Sequence, residues 1–158
     1  MSHIDDLDGA IVSFLNYGTG TALDLSDGKT DNGTPLVGWQ FHGGENQQWK
    51  LERVDSSPVW PTWKLRNIKS GTYVELDDGK SANGTTIQGW QKKENNNQLF
   101  RLVSADPMGR VFMIQNVASG TYIDLLNGNP ANSTKITGWA GILEIKNAHQ
   151  LWRVLRMN

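Results

Sequence analysis

Three acidic residues stand at matching positions along the chain, and a tryptophan follows each of them fifteen residues later. The pairs, in chain order, are Asp24 with Trp39, Glu75 with Trp90, and Asp124 with Trp139. A carboxylate accepts strong hydrogen bonds from hydroxyl groups, and an aromatic face packs against the apolar side of a pyranose ring. A carboxylate paired with a tryptophan in this way is typical of a site that binds a sugar.

A further polar side chain follows each pair. These side chains are Asn46, Asn97 and His149. Amide and imidazole groups both donate and accept hydrogen bonds, which suits them to the vicinal hydroxyls of a sugar. A glycine precedes each tryptophan in all three places, which favours a surface position for the ring. We therefore predict one pocket for each carboxylate, completed by its tryptophan and by its amide or imidazole group.

The pairs recur because one unit is repeated three times. The first copy covers about residues 11–54, the second copy about residues 63–103, and the third copy about residues 111–157. The tryptophans of successive copies are 51 and then 49 residues apart. The same register aligns Asn16, Asn67 and Asn116, as well as Gly20, Gly71 and Gly120. A period of this length indicates a supersecondary unit that stacks on its neighbours to bury a shared core.

Each copy is a series of short apolar segments. In the third copy, residues 112–116, 122–125, 135–139 and 151–155 are rich in β-branched and aromatic residues or alternate as half-buried strands do. The pattern predicts an all-β protein with four strands per copy, about twelve in all. Three copies are too few for a propeller, and open sheet edges promote aggregation. We therefore predict a closed barrel with pseudo-threefold symmetry.

Composition excludes several function classes. A chain of 158 residues suggests a single domain, residues 1–158. The formal net charge of −1 gives no reason to expect a nucleic-acid partner, and no apolar run reaches the ~20 residues of a membrane span. The absence of cysteine excludes thiol catalysis and cysteine-bound zinc. The chain has no His-x-x-x-His pattern and its acidic residues are dispersed, so we predict no metal site, and we predict no cofactor.

The N-terminal residues are polar and acidic. A secretory signal peptide needs a basic segment followed by an apolar one, and residues 1–9 contain neither. We expect a cytoplasmic protein, or one that is secreted by a route without a signal peptide.

Each copy ends in a Gln-x-Trp pattern or a close variant. Residues 47–49 and 150–152 keep this pattern, whereas residues 98–100 end in Phe100. A β-strand repeat used three times with this ending resembles the ricin-B-type β-trefoil lectins. The run Asp-Leu-x-Asp-Gly-x(4)-Gly-Thr-x-Leu-x-Gly-Trp, which begins at Asp24, is similar to the mushroom lectins of this group. The resemblance covers essentially the whole chain.

The resemblance implies a β-trefoil that binds glycans of the galactose or N-acetylgalactosamine type on glycoproteins or glycolipids. It also implies that the glutamine of each ending supports the carboxylate or reaches the sugar itself; these residues are Gln47, Gln98 and Gln150. Sites on one rigid body gain avidity on a decorated surface, so agglutination is the expected activity. The number of sites, two or three, stays open because the side chain of Glu75 is about 1.5 Å longer than that of aspartate.

Other aromatic and turn residues have structural explanations. The resemblance places Trp49, Phe100 and Trp152 in the core. Trp60 and Trp63 occur once, in or beside a connector, which predicts a hydrophobic plug. Asp-Gly and Asn-Gly pairs favour turns with positive φ. These pairs begin at Asp27, Asp78 and Asn127.

Two other function classes fit the sequence less well than a lectin. A glycosidase needs two carboxylates about 5–9.5 Å apart across one cleft, and the motif supplies one per copy, so we predict no enzyme activity. A protein-binding β-trefoil, such as a protease inhibitor, is the alternative, although a carboxylate and a tryptophan in every copy argue against it. A homodimer also stays open, because an interface has no signature in this sequence.

Overall fold

The predicted apolar segments form β-strands. The computed structural model describes residues 7–54 and 61–158, and it contains four strands from each copy, twelve in total. The first copy contains β1 (Ile11–Asn16), β2 (Ala22–Leu25), β3 (Thr34–Trp39) and β4 (Trp49–Arg53). The second copy contains β5 (Trp63–Asn67), β6 (Tyr73–Leu76), β7 (Thr85–Trp90) and β8 (Phe100–Ser104). The third copy contains β9 (Val111–Asn116), β10 (Tyr122–Leu125), β11 (Thr134–Trp139) and β12 (Trp152–Arg156).

Short 3₁₀ turns follow the second strand of each copy and precede the fourth. They are Ser26–Gly28, Glu45–Gln47, Asp77–Gly79, Asn96–Gln98, Leu126–Gly128 and Ala148–Gln150. The central residues Asp27, Asp78 and Asn127 have φ values of 54°, 51° and 55°, which confirms the predicted left-handed conformation. Within the described residues, no helix has the length and apolar character needed to cross a membrane.

Six strands close into a barrel. The first and fourth strands of each copy pair with each other and with the neighbouring copies, in the order β1-β4-β5-β8-β9-β12 and back to β1. The other six strands form the hairpins β2–β3, β6–β7 and β10–β11. Strands β3, β7 and β11 also pair with one another around the pseudo-threefold axis. This architecture is a β-trefoil, as predicted.

The aromatic residue that ends each Gln-x-Trp position lies in the core. Trp49, Phe100 and Trp152 are fully buried, which confirms their predicted packing role. The indole nitrogens of Trp49 and Trp152 each donate a 3.0 Å hydrogen bond to a backbone carbonyl in the second strand of the same copy. The acceptors are Leu23 and Ile123. The indole therefore fixes the hairpin as well as filling the core.

Trp63 is also a core residue, not a plug at the connector. It is fully buried in β5 and stands opposite Phe100 in the strand ladder. In the third copy Phe112 stands opposite Trp152. The tryptophan therefore lies on the first strand of the second copy but on the fourth strand of the third copy, and the phenylalanine takes the other strand in each. The exchange explains how the second copy keeps its core filled with phenylalanine at position 100. Trp60, the other predicted plug residue, lies outside the described residues.

An asparagine at the end of each first strand links consecutive copies. Its side-chain Nδ2 donates to the backbone carbonyl of the polar residue that precedes the glutamine of the Gln-x-Trp position in another copy. The pairs are Asn67 with Asn46 at 3.0 Å, Asn116 with Asn97 at 3.0 Å, and Asn16 with His149 at 3.2 Å. Each predicted sugar-binding loop is therefore held in place by a neighbouring copy.

Candidate sugar-binding sites

The hairpin of each copy brings the carboxylate close to its tryptophan. In the β2–β3 ladder Asp24 stands opposite Val37, and Trp39 stands opposite Ala22. Residues two apart on a strand share a face, so Trp39 lies diagonally across from Asp24. Long side chains reach each other over such a diagonal, which spans about 7–8 Å. The same register recurs in the β6–β7 and β10–β11 ladders.

The glycine before each tryptophan serves packing between copies. A Cβ atom on Gly38 would lie 2.6 Å from Cδ1 of Leu125, which belongs to the third copy. The equivalent distances are 2.9 Å for Gly89 with Leu25 and 2.8 Å for Gly138 with Leu76. A side chain at these positions would collide with the leucine, so the glycines allow the three hairpins to approach.

The tryptophans themselves are partly accessible. Trp39 is 36% exposed, and Trp90 and Trp139 have intermediate exposure. A loop from a different copy stands beside each ring. The neighbours are Gly33 for Trp90, Gly84 for Trp139 and Ser133 for Trp39. Each candidate site is thus built from two copies of the repeat.

The glutamine of each Gln-x-Trp position supports the carboxylate. Gln47, Gln98 and Gln150 are completely buried. The Nε2 atom donates to the carboxylate of its own copy, at 2.8, 3.1 and 2.9 Å in chain order. It also donates to the backbone carbonyl that follows the tryptophan. Of the two roles that the sequence left open, the geometry favours support of the carboxylate over contact with the sugar.

In the first copy the carboxylate has a second amide donor. Oδ1 of Asp24 accepts a hydrogen bond from Nδ2 of Asn46 at 3.1 Å. Nε2 of His42 lies 3.9 Å from Oδ2, and the His42 side chain is half-exposed. These residues, with Trp39 and Ser133, line a cavity of about 360 Å³. That volume falls in the range of small-molecule pockets, roughly 300–1,000 Å³.

In the second copy three side chains contact the carboxylate of Glu75. Oε1 of Glu75 accepts from Gln98 and forms an ion pair with Nζ of Lys93 at 2.9 Å. Oε2 accepts from Nε2 of Gln88 at 3.1 Å. The same Lys93 ammonium lies 4.8 Å from the centroid of the Trp90 ring. Both groups predicted to hold a sugar in this copy are therefore in contact with a lysine.

In the third copy the carboxylate keeps an open oxygen. Oδ2 of Asp124 accepts from Gln150, whereas Oδ1 has no hydrogen-bond partner among the described residues. Buried Oγ1 of Thr137, which stands opposite Asp124, and Oε1 of Gln150 also lack a partner in that part of the chain. A buried polar group without a partner costs about 1–3 kcal/mol. The Oδ1 atom of Asp124 is therefore the acceptor that a hydroxylated ligand or water would use at this site.

The polar residue before the glutamine is placed differently in the second and third copies. Nδ2 of Asn97 donates to the backbone carbonyl of Leu76 at 3.2 Å, and the side chain is buried. The His149 ring instead packs over Gly128, where a Cβ atom would lie 2.6 Å from ring atoms Cδ2 and Nε2. Gly128 also has a φ of +61°, so turn geometry and contact with the ring both favour glycine there.

Burial perturbs the two aspartates. Desolvation raises the pKa of Asp24 and of Asp124 above the ordinary value of 3.8, and the hydrogen bond from the adjacent glutamine opposes the rise. A positive charge on His42 or His149 would also oppose it. Perturbed carboxyl groups are concentrated at functional sites, so this shift agrees with a ligand-binding role.

Sequence reasoning missed two residues of the second site, Lys93 and Gln88. Lys93 is the third residue after Trp90, and the same loop position in the first copy is His42. A basic residue at this position in two copies was a readable signal. Gln88 stands opposite Glu75 in the ladder, a contact that becomes evident only from the strand register. In residues 7–54 and 61–158, no cluster of three or more His, Cys, Asp or Glu side chains could hold a metal ion.

The fold and the repeated site define the class of protein. The family described as ricin-type beta-trefoil lectin domain-like matches three overlapping segments, residues 4–90, 55–139 and 96–158. The chain belongs to this family. No curated protein matches the sequence.

Solved structures with the same fold include fungal lectins. The Rhizoctonia solani agglutinin has a TM-score of 0.82 and 28% identity, covering 96% of this chain and 97% of that chain. The Macrolepiota procera ricin B-like lectin in complex with lactose has a TM-score of 0.73 and 25% identity, covering 95% and 97%. An exo-beta-1,3-galactanase from Clostridium thermocellum, with a TM-score of 0.82 and 24% identity, covers 95% of this chain and 31% of that chain, and shows the fold alone. The family and the lectins support carbohydrate binding.

Proposed function

We propose that the protein is a non-catalytic lectin that binds glycans of the galactose or N-acetylgalactosamine type at the first and third copies. The observation that carries the proposal is the open Oδ1 of the buried Asp124, beside the partly exposed Trp139. An ionised carboxylate with a free oxygen accepts a charge-assisted hydrogen bond from a sugar hydroxyl. The indole supplies the apolar face on which the pyranose ring stacks.

The choice of sugar rests on relatives. The Macrolepiota procera lectin, similar over most of its length, is described in complex with lactose, a galactose-containing disaccharide. A galactose-type ring presents vicinal hydroxyls on one side and an apolar patch on the other, which suits a carboxylate and an indole on one face of a hairpin. His149 adds a nitrogen donor or acceptor within the same loop.

The absence of catalysis is part of the proposal. Asp27 lines the first pocket together with Asp24, which gives that pocket two carboxyl groups. The equivalent residue of the third copy is Asn127, so the site with the open carboxylate has one carboxyl group from these two positions. A glycosidase mechanism needs two. We expect no release of nitrophenol from aryl galactosides and no loss of sugar binding in the presence of a chelator.

Two sites on one body give the protein a means of cross-linking. Each site alone would bind weakly, because a monosaccharide buries little surface, whereas simultaneous engagement of two glycans on one surface raises the apparent affinity by 10²–10⁴. Agglutination of cells, inhibited by free galactose, is the expected consequence.

A glycan array on the purified 158-residue chain tests the proposal. Selective binding to terminal galactose or N-acetylgalactosamine, unchanged by chelator, is the expected result. The double variant Asp124→Ala with Trp139→Ala should lose one sugar site in a titration and keep the far-ultraviolet circular dichroism of the parent. Absence of binding to every glycan would overturn the lectin proposal and favour the protein-binding alternative. An unchanged number of sites in the double variant would show that the third site is wrongly assigned.

A further inference from the structure

We infer that Lys93 occupies the sugar position of the second copy and keeps that site closed. The inference rests on the proposed function, because it identifies the place of the sugar from the carboxylate and tryptophan of the other copies. Nζ of Lys93 lies 2.9 Å from Oε1 of Glu75 and 4.8 Å from the centroid of the Trp90 ring. One ammonium group thus contacts both of the surfaces that a pyranose would need.

Both oxygens of the Glu75 carboxylate have side-chain partners, and one partner is an ammonium group, whereas the hydrogen-bond donors to Asp24 in the first copy are two neutral amides. Gln98 and Lys93 bind Oε1, and Gln88 binds Oε2. The side chain of Glu75 is 2% exposed, so solvent does not compensate for a lost partner. A neutral sugar would have to replace an ion pair, in which both groups are charged, with hydroxyl contacts in which only the carboxylate is charged. The exchange would also leave a buried negative charge without its counter-ion, which is strongly unfavourable.

The backbone of Lys93 is fixed from two sides. Its N–H group donates to Oε1 of Gln98 at 2.9 Å, and its carbonyl accepts from Nζ of Lys64 at 2.6 Å. Lys64 is almost fully buried, and the residues at its position in the other copies are Ser13 and Met113. The lysine that anchors this loop is therefore specific to the second copy, as is the lysine that fills the site.

The other two copies show that the loop position decides whether a site is closed. Position 93 corresponds to His42 in the first copy, where the imidazole stays 3.9 Å from the carboxylate and is half-exposed. In the third copy the third residue after the tryptophan is Ile142, which is exposed and has no charge. The loop there is also longer, with eleven residues from Trp139 to Gln150 against eight in each of the other copies. A long, flexible cation at this position is found in the second copy alone.

Nuclear magnetic resonance of the assigned tryptophan indole N–H groups, during titration with lactose, tests the inference. In the unmodified chain the Trp39 and Trp139 resonances should shift with the sugar, and the Trp90 resonance should not. Lys93→Ala should make the Trp90 resonance shift as well, with an affinity increase of at least about tenfold at that site, or 1.4 kcal/mol. Lys92→Ala, which removes the neighbouring exposed lysine, is the matched control and should leave Trp90 silent.

A second variant guards against loss of structure. Lys93→His reproduces the residue of the first copy and should also open the second site. The Trp152 resonance reports an intact core, because its indole donates to the carbonyl of Ile123. A folded Lys93→Ala or Lys93→His chain whose Trp90 resonance stays fixed while Trp139 saturates would overturn the inference. A Trp90 shift in the unmodified chain would do the same. If no tryptophan responds in the unmodified chain, the proposed function itself fails.

Discussion

The second and third copies share one motif and differ in what meets their carboxylates. Glu75 receives three side-chain partners, one of them the ammonium of Lys93. Asp124 has one side-chain partner, Gln150, and its Oδ1 atom has no hydrogen-bond partner within the described part of the chain. Both carboxylates are buried, and both stand across a hairpin from a partly accessible tryptophan. The difference comes from the loop after the tryptophan and from the residue opposite the carboxylate.

The comparison shows that the repeated motif specifies a scaffold more strictly than it specifies a site. Every copy keeps the glutamine that supports the carboxylate and the glycine that lets the hairpins pack. The residue opposite the carboxylate, by contrast, differs in every copy and is Val37, Gln88 or Thr137. A symmetric fold therefore does not require equal occupancy of its three sites.

The variant that should most change sugar affinity in one copy and not in the other is Asp124→Asn. The amide keeps the shape of the side chain but removes the charge that strengthens the bond to a sugar hydroxyl, a loss of about 1.5–3 kcal/mol. Affinity at the third site should fall by at least tenfold in a calorimetric titration with lactose. Glu75→Gln is the matched change in the second copy, and it should leave the number and affinity of sugar sites unchanged. Equal losses from the two variants would contradict the contrast between the copies.

The cores of the two copies can be compared through Trp152→Phe. The change gives the third copy the phenylalanine of the second, removes the donor to the carbonyl of Ile123, and leaves a cavity. We expect the free energy of unfolding to fall by about 2–3 kcal/mol, measured by urea denaturation. Adding Phe112→Trp imitates the arrangement of Trp63 and Phe100 and should recover part of the loss. A double variant that is less stable than Trp152→Phe would contradict the exchange of ring sizes between strands.

Sugar binding at the third site should be lost at a higher pH than the ordinary pKa of an aspartate would give. Burial raises the pKa of Asp124 above 3.8, so the carboxyl takes up its proton at a higher pH than it would in an unfolded chain. Sugar binding at the third site should weaken as the pH falls through this raised value, because the neutral carboxyl is a poorer acceptor. The same protonation relieves the cost of a buried charge, so this residue adds to stability as the pH falls. Loss of the Trp139 response should precede acid unfolding, and simultaneous loss would contradict this order.

The smallest effect that we expect is from Thr137→Val. The hydroxyl Oγ1 is buried and has no hydrogen-bond partner in residues 7–54 and 61–158. Valine has nearly the same shape and is the residue at the equivalent position 37. Replacing an unpaired buried hydroxyl by a methyl group should stabilise the fold by up to about 1 kcal/mol in urea denaturation. Lactose affinity should stay the same. A loss of stability or of affinity would show that a water or the sugar uses this hydroxyl.

The scaffold could be predicted from the sequence because residues that pack in the core recur at equivalent positions in the three copies. The strand number follows from residue types at repeated spacings, and the core position of the rings at 49, 100 and 152 follows from the family resemblance. The packing role of Gly38 could not be predicted, because its partner Leu125 lies in another copy and is distant in sequence. For a related reason, the sequence could not decide whether the second copy binds a sugar. The lysine that fills it lies in a loop of variable sequence, and its contacts depend on how Glu75 and Trp90 meet in space.

A crystal structure of the protein soaked with galactose would test the central proposal most directly. We expect the sugar to place a hydroxyl against Oδ1 of Asp124 with its ring on Trp139, and a second molecule to occupy the cavity beside Asp24. Glu75 should keep Lys93 as its partner, with no sugar between them. Sugar bound at none of the three carboxylates, or bound at Glu75 with Lys93 displaced, would contradict the account given above.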